Sequence, residues 1–378
     1  MNIEKASRRT VLILSWLVVG LLATCPAGSA DWAGFRGPGS SGISNDTSVP
    51  SEWDDSTNLK WKVKLPGKGY SSPIVVGDRV FVTCYSGDGG DLAGLKRHLV
   101  CVDRGTGDEV WSKVIPSTSR ERAIPRFAGS PGYASNTPVS DGEHVYVLMG
   151  NSGVFAFDMA GKQLWNKAVG SESAAMFGSA SSPILHKDNV IICAGSESES
   201  IRALNKSTGE EVWKTEASSL SRSYSTPVIV ASPQGDDELL LSVPQEIWSL
   251  NPASGKLKWY AETRVDTGAC PVVVVGDGVV YAVGGRSGGR TAVRLGGKGD
   301  VTESHVVWSR TGGAYVPSPV LHNGYLYWVT DSWSRQLRRH QDRRGGRPQA
   351  AGWSVLRFDH ADRQNTLRGQ PLRRNLYP

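Results

Sequence analysis

The sequence of 378 residues has few of the features that mark a metal or nucleotide site. It contains five cysteines and seven histidines, and no two cysteines stand at the spacing of a zinc site. A Cys-Cys dipeptide, a Walker loop and an HExxH motif are all absent. These absences exclude zinc fingers, HExxH peptidases and P-loop nucleotide hydrolases. We expect buried free thiols at Cys84, Cys101, Cys193 and Cys270, with a bridge between Cys84 and Cys101 as the alternative.

Long apolar runs are also lacking, apart from one near the N-terminus. The 13 residues Val11–Ala23 follow a basic segment and precede small residues that end at Ala30. A run of this length is too short for a membrane span and is typical of an export signal. We therefore expect residues 1–30 to be a signal peptide, the protein to be periplasmic or in the cell envelope, and the mature chain to have no transmembrane span. Export by the general or the twin-arginine route stays open, and lipidation of Cys25 is the alternative to ordinary cleavage.

Lysine and glutamate are missing from the last part of the chain, where the final examples are Lys298 and Glu303. From Arg335 onward there are eleven Arg and three Asp, whereas the first 334 residues carry 31 Lys plus Arg and 33 acids. The formal net charge of +6 therefore belongs to the last 44 residues. The body of the protein is close to neutral, so its charge does not indicate a nucleic-acid partner.

Self-similarity dominates the rest of the chain. Four segments share a small or apolar residue, then Asp or Asn, a Gly and a Trp: CVDRGTGDEVW (Cys101–Trp111), AFDMAGKQLW (Ala156–Trp165), ALNKSTGEEVW (Ala203–Trp213) and SLNPASGKLKW (Ser249–Trp259). Trp61 and Trp308 extend the series, in which successive tryptophans are 46 to 54 residues apart. The turn residues are Asp103 with Gly107, Asp158 with Gly161, Asn205 with Gly209, and Asn251 with Gly255. Asp and Asn side chains can hydrogen-bond their own turn, and Gly allows its positive φ.

A second motif lies between the tryptophans. Small residues and a Pro precede an apolar run, a polar turn, and alternating Val and aromatic residues, as in YSSPIVVGDRVFV (Tyr70–Val82). Together the two motifs predict four short strands in each unit of about 48 residues, joined by hairpin turns. The pattern predicts an all-β fold, namely a β-propeller of four-stranded antiparallel blades in which each Trp docks on the turn of the next blade. Five complete units and the first half of a sixth are visible over residues 31–332.

The repeat resembles the tryptophan-docking motif of the pyrroloquinoline-quinone-like (quinoprotein-like) β-propeller family. The segment DWAGFRGPGSSGIS (Asp31–Ser44) is similar to the first segment of exported, repeat-only members. Those members resemble the outer-membrane assembly lipoprotein propeller. The resemblance covers about residues 31–332 and implies a ring of seven or eight blades.

Two functions follow from this resemblance. The first is an exported, non-catalytic propeller that acts as a binding or scaffold module for a protein or small-molecule ligand on one face. The alternative is an oxidoreductase that depends on pyrroloquinoline quinone (PQQ) and calcium, or a remnant of one. The matching repeats offer no positions for the calcium ligands and the aspartate base of those enzymes. We therefore expect no catalytic residues, no metal site, no cofactor and no nucleic-acid partner.

The longest insertion between repeats is STSRERAIPRFAGSPG (Ser117–Gly132). It carries a candidate partner-binding set that could meet an anionic partner on a propeller face: Arg120, Arg122, Arg126 and Phe127. A solvated linking loop is the interpretation that we favour, because connections between repeats normally run over the surface.

The repeat pattern stops at Ser332, and an arginine-rich tail follows over residues 333–378. Reading the codons one base later from Trp333 permits the residues D-T-K-T-G-E-V-V where the next Asp–Gly turn should stand. We hypothesise that the tail is an out-of-frame translation, through a sequencing error or a truncating mutation, with a disordered basic tail as the alternative. The hypothesis predicts that the tail is unpacked and that the sixth blade lacks its two outer strands.

Overall fold

The computed structural model describes residues 31–87, 92–118, 121, 123–124, 132–170, 177–232 and 235–329, and the backbone of the strand Arg335–Arg339. The expected signal peptide, residues 1–30, lies outside this part of the chain. So does most of the arginine-rich tail. Within the described residues, no helix is long and apolar enough to cross a bilayer.

Six antiparallel sheets follow one another along the chain, and neighbouring strands are paired in sequence order. Blade one contains β1 (Ile74–Val76), β2 (Arg79–Ser86), β3 (Lys96–Asp103) and β4 (Glu109–Pro116). Blade two contains β5 (Val139–Ser140), β6 (His144–Leu148), β7 (Val154–Asp158) and β8 (Gln163–Lys167). Blade three contains β9 (Ile184–His186), β10 (Asn189–Ala194), β11 (Ser200–Asn205) and β12 (Glu211–Glu216).

Blade four contains β13 (Val228–Ala231), β14 (Asp237–Val243), β15 (Glu246–Leu250) and β16 (Leu257–Glu262). Blade five contains β17 (Val274–Gly276), β18 (Val279–Gly284), β19 (Gly289–Arg294) and β21 (Val306–Arg310), while β20 (Gly299–Asp300) pairs in parallel with β16. Blade six contains β22 (Val320–His322), β23 (Tyr325–Val329) and β24 (Arg335–Arg339). The helices are short: α1 (Gly195–Ser198), α2 (Thr302–His305), and 3-10 turns at Pro38–Ser40, Gly150–Ser152 and Ser218–Arg222. The predicted propeller of four-stranded blades is confirmed.

One irregularity recurs between the third and fourth strands of the first five blades. The residue opposite each tryptophan is small, and the register shifts directly after it: Cys101↔Trp111, Ala156↔Trp165, Ala203↔Trp213, Ser249↔Trp259 and Ala292↔Trp308. A small cross-strand neighbour leaves room for the indole. The bulge bends and twists the outer strand. The small residue of the repeat therefore positions the tryptophan.

The hydrophobic core lies between consecutive blades and not at one centre. Five buried clusters alternate with the sheets, each containing apolar side chains from two neighbouring blades. Between blades three and four, for example, Ile191 and Ile201 pack with Leu239 and Leu241, and all four are fully buried. Burying such a side chain contributes about 1.5–3 kcal/mol. The blades therefore stabilise one another through these contacts.

The N-terminal segment Asp31–Ser44, which we call the axial segment, lies against the first strand, or the residues just before it, in several blades. Trp32 forms a β-bridge with Val75 in blade one, and the Ala33 carbonyl accepts the N–H of Ser140 in blade two. The segment lines a cavity with Ile184, Leu185 and Ile229 of blades three and four. Because the first strands of all blades meet only at the centre of a propeller, the axial segment lies at the axis.

The far end of the axial segment reaches the last two blades. Phe35 packs against the buried cluster between blades four and five, and the guanidinium of Arg36 donates to the Pro319 carbonyl before blade six at 2.6 Å. Arg36 also donates to the carbonyls of Ser40 and Ser41 at 3.0 and 3.1 Å. Burial lowers the pKa of this guanidinium. The three carbonyls compensate its charge, so Arg36 fastens the axial segment to blade six.

The sixth blade differs from the prediction made for it. The backbone of β24 pairs antiparallel with β23, from Val329↔Arg335 to Tyr325↔Arg339. The expectation that blade six lacks both outer strands is therefore wrong for its third strand. Strand pairing uses backbone N–H and C=O groups, and charged side chains are well tolerated on an edge strand.

The four described cysteines are free thiols, as expected, and three of them are buried, whereas Cys270 is partly exposed and the expectation of burial is wrong for it. Cys84 stands opposite His98 and Cys101 opposite Phe81 on β2 and β3. Side chains alternate between the two faces of a strand, so this three-residue offset places the two sulfurs on opposite faces of the sheet. The alternative bridge between Cys84 and Cys101 is therefore wrong.

Candidate functional site

The first four repeat tryptophans each lie on the turn of the following blade. Their indole N–H groups donate to backbone carbonyls at 2.8–3.0 Å: Trp61 to Arg104, Trp111 to Met159, Trp165 to Lys206 and Trp213 to Pro252. A glycine with positive φ faces each ring, and an added Cβ would lie less than 3 Å from the indole at all four: Gly107, Gly161, Gly209 and Gly255. Only glycine lets the turn approach the ring so closely.

The Asp and Asn residues of the repeat hold those turns. Asp103 Oδ1 accepts the N–H groups of Gly105 and Thr106 at 2.8 and 3.0 Å. Asp158 accepts one backbone N–H at 2.8 Å, and Asn205 and Asn251 accept two each. The hydrogen bond from the Thr106 N–H is the main cause that lowers the pKa of Asp103. These residues therefore shape the docking turns.

The last two tryptophans of the series differ from the first four. Trp259 is fully buried and donates to Glu238 Oε2 of its own blade at 2.9 Å. Blade five has no Asp–Gly turn at the corresponding place, and β20 and α2 occupy it instead. Trp308 packs against Tyr281, with ring centroids 6.1 Å apart. The turn expected to receive its indole falls after Arg339, outside the described residues.

The candidate partner-binding residues Arg120, Arg122, Arg126 and Phe127 also lie outside the described residues. Their neighbour Glu121 is described and is buried, with 4% of its side chain exposed. Its carboxylate lies 2.7 Å from the guanidinium of Arg97. The loop is therefore anchored in the protein at Glu121, and the expectation of a solvated linking loop is wrong at this position.

Arg97 and Glu121 belong to a polar cluster on the loop face, by which we mean the end of the propeller where each second strand turns into the third. The Arg97 side chain is 3% exposed. Its guanidinium donates to the Tyr133 carbonyl at 2.9 Å, to Ser152 Oγ at 3.4 Å and to Glu121. Breaking a buried pair of this kind leaves an uncompensated charge, which costs about 3–5 kcal/mol. Arg97 thus ties blade one to the loops of blade two.

A second buried carboxyl group, Glu197 on α1, faces the same small cavity. Burial is the main cause that raises the pKa of Glu197, while a hydrogen bond from Ser179 opposes the rise. Asn136 donates to Ser179 Oγ at 2.9 Å, which directs the hydroxyl proton toward Glu197. Glu121 Oε1 and Glu197 Oε1 are both buried, and neither has a hydrogen-bond partner among the residues that the structure describes. The cluster can therefore hold a proton and a small polar molecule at its centre.

No sequence pattern predicts this cluster. Arg97 stands within an otherwise buried strand and Glu197 within a run of alternating Ser and Glu, SESES. From sequence alone, each of these two charged side chains is expected to face solvent, because Arg and Glu are mostly exposed in proteins. Only the contact between loops of three blades, far apart in sequence, brings the two side chains together.

The fold and the docked tryptophans define a β-propeller built of tryptophan-docking repeats. The model of the family described as outer membrane protein assembly factor BamB matches residues 95–349. The chain belongs to this family, so the resemblance drawn from the repeats is confirmed. The match extends 17 residues beyond Ser332, where the visible repeat pattern stops.

Solved structures show the same fold. A europium-containing methanol dehydrogenase is 12% identical, and the alignment covers 69% of this chain and 61% of that chain with a TM-score of 0.51. BamB from Moraxella catarrhalis is 17% identical, with 70% and 71% of the two chains covered and a TM-score of 0.49. This chain therefore spans less than two thirds of the dehydrogenase. A search of the curated proteins gave no match.

The residues of the loop-face cluster do not fit the quinone and calcium that the alternative function would require. The cavity has a volume of about 30 Å³, which is room for one or two water molecules, whereas PQQ is a three-ring molecule with three carboxylates. Those carboxylates would meet Glu121 and Glu197, and Arg97 is already paired. Calcium takes 6–8 oxygen ligands, yet no three His, Cys, Asp or Glu side chains of the described residues stand close enough to hold a metal ion.

Proposed function

We propose that the protein is an exported, non-catalytic β-propeller that binds a partner through loops on one face. The observation that carries this proposal is the size and charge of the loop-face cavity, which leaves no space for a quinone. The description of the family as an assembly factor of outer membrane proteins supports a protein partner in the cell envelope.

The loop face also presents apolar side chains suited to a protein partner. Tyr70, before β1, is 63% exposed, and Phe177, between blades two and three, is 37% exposed. Aromatic side chains are enriched among the residues that contribute most to protein–protein binding. A photo-crosslinking residue at Tyr70 should therefore capture a protein in cells. The same residue at Val212, which is 49% exposed on the outer strand β12, should capture none.

A quinone titration separates this function from the alternative, an oxidoreductase or its remnant. Purified protein is mixed with PQQ and calcium, and the quinone absorbance and the reduction of an artificial electron acceptor are followed. We expect no saturable absorbance change and no dye reduction with alcohols or sugars. Saturable binding with dye reduction would refute the non-catalytic proposal.

Export is a separate part of the proposal. Intact-mass measurement of protein isolated from the cell envelope should show a chain that begins at Asp31. A mass that matches a chain beginning at a lipidated Cys25 would identify a lipoprotein. A full-length chain in the cytoplasm would contradict export.

A further inference from the structure

Two buried carboxylates line the small cavity of the loop face. Glu121 follows blade one and Glu197 belongs to α1 of blade three, and both line the cavity of about 30 Å³. The side chain of Glu121 is 4% exposed, and Glu197 is 2% exposed. The Oε1 atom of each has no hydrogen-bond partner among the described residues. Since buried polar atoms normally have a partner, these two oxygens point to a ligand in the cavity.

The other oxygen of each carboxylate is already used by the protein. The guanidinium of Arg97 donates to Glu121 Oε2 at 2.7 Å. The hydroxyl of Ser179 forms a hydrogen bond with Glu197, and Asn136 donates to the same hydroxyl oxygen at 2.9 Å. These contacts hold both carboxylates in place. They leave one oxygen of each for the cavity.

The charges around the cavity do not balance. Among the described residues that line it, Arg97 is the only basic side chain, and it faces two carboxylates. Burial is the main cause that raises the pKa of Glu197, and the charge of Glu121 raises this pKa further. A buried charge is costly unless it is compensated. One additional positive charge in the cavity would make the cluster neutral.

The size of the cavity limits what can carry this charge. Its volume of about 30 Å³ is room for one or two water molecules, and Gly132, Gly150 and Gly178 line it. At Gly178 an added Cβ would lie 2.6 Å from the carbonyl oxygen of Gly132, so the backbone closes tightly around the space. The two carboxylates that are too few for calcium match a small ion with a single charge.

We infer that this cavity binds a small monovalent cation, of the size of sodium, potassium or ammonium, between Glu121 Oε1 and Glu197 Oε1. The inference departs from the expectation, drawn from the sequence, that the protein has no metal site. The ion would join the loop after blade one to α1 of blade three and so fasten the loop face. This role goes beyond the proposed binding of a partner and does not depend on it.

Thermal unfolding of the purified protein at pH 7 tests the site. The midpoint is measured at constant ionic strength in sodium, potassium or ammonium chloride and, as the reference, in choline chloride, whose cation is too large for the cavity. At a concentration ten times the dissociation constant, a bound ion should raise the midpoint by about 2 °C. Equal midpoints in all four salts would overturn the inference, because a proton or water alone would then occupy the cavity.

Glu197→Gln keeps the size of the side chain and removes its charge. This variant should have the same midpoint in all four salts, and in choline chloride its midpoint should exceed that of the parent protein. Glu216→Gln is the matched control, because Glu216 is an exposed carboxylate on β12 of the same blade, and it should keep the dependence of the parent protein on the cation. A dependence that persists in Glu197→Gln would contradict the site.

Sodium-23 nuclear magnetic resonance measures the binding directly and requires no variant. The relaxation of sodium is enhanced when the ion is held in an asymmetric site. We expect a saturable enhancement in the presence of the parent protein, and we expect potassium or ammonium to displace it while choline does not. The absence of a saturable enhancement, together with no displacement of the midpoint by potassium or ammonium, would exclude the site.

Discussion

The contact between Trp165 and Gly209 allows a direct measurement of what tryptophan docking contributes to stability. In Gly209→Ala the new Cβ would lie 2.6 Å from a ring carbon of Trp165. The position also has a φ of +74°, and an L-residue in this left-handed region costs about 1–2 kcal/mol. Forcing a methyl group into a packed contact adds about 1–3 kcal/mol. We expect the free energy of unfolding to fall by the sum of both effects.

Gly278→Ala is the matched control for this variant. Gly278 has a φ of +71°, and an added Cβ there has no neighbour within 4 Å. Chemical unfolding followed by circular dichroism should therefore show a loss of about 1–2 kcal/mol for Gly278→Ala, from the backbone alone. The additional loss in Gly209→Ala should disappear when Trp165 is replaced by Leu. Equal losses in the two alanine variants would refute the account of docking.

Two further predictions concern buried titratable groups. Burial raises the pKa of Glu197 in the folded state above the ordinary value, so the folded state binds the proton more tightly and loses stability as the pH rises above about 4.3. Glu197→Gln should remove that loss and raise the thermal midpoint at pH 7, whereas Glu216→Gln, at an exposed carboxylate, should not. Burial raises the pKa of Cys101 and Cys193 to about 12. Ellman's reagent at pH 8 should therefore label the partly exposed Cys270 in the folded protein, and label Cys101 and Cys193 only after denaturation.

The blades were predictable because their signals are local. A hairpin turn, an Asp–Gly turn and a tryptophan all lie within about 35 residues of one another. Side-chain hydrogen bonds such as that from the Gly105 N–H to Asp103 follow directly from residue type. The repeat of these signals fixed the number of strands in each unit. The bulge opposite each tryptophan also has a local signal, which is the small residue at the start of the motif.

The axial segment and the loop-face cluster were not predictable in this way. Arg36 binds a carbonyl 283 residues away, and no local pattern identifies such a partner. Arg97 and Glu197 become neighbours only after three blades have packed together. Composition was also misleading, because the charge of the last 44 residues concealed that β24 continues the sixth sheet.

The position of β24 sharpens the hypothesis of a shifted reading frame. The third strands of blades one, two and three end at Asp103, Asp158 and Asn205, and the docking turn follows each of them. The strand β24 ends at Arg339, and the junction of Arg339 and His340 is where the shifted frame permits Asp. If the frame is shifted, the base change lies before this turn, and the corrected sequence should read Asp, then Thr-Gly and then a Trp that completes the fourth strand. The nucleotide sequence from the codon of Asp331 decides this, because a continuous frame that encodes the arginines would exclude the hypothesis.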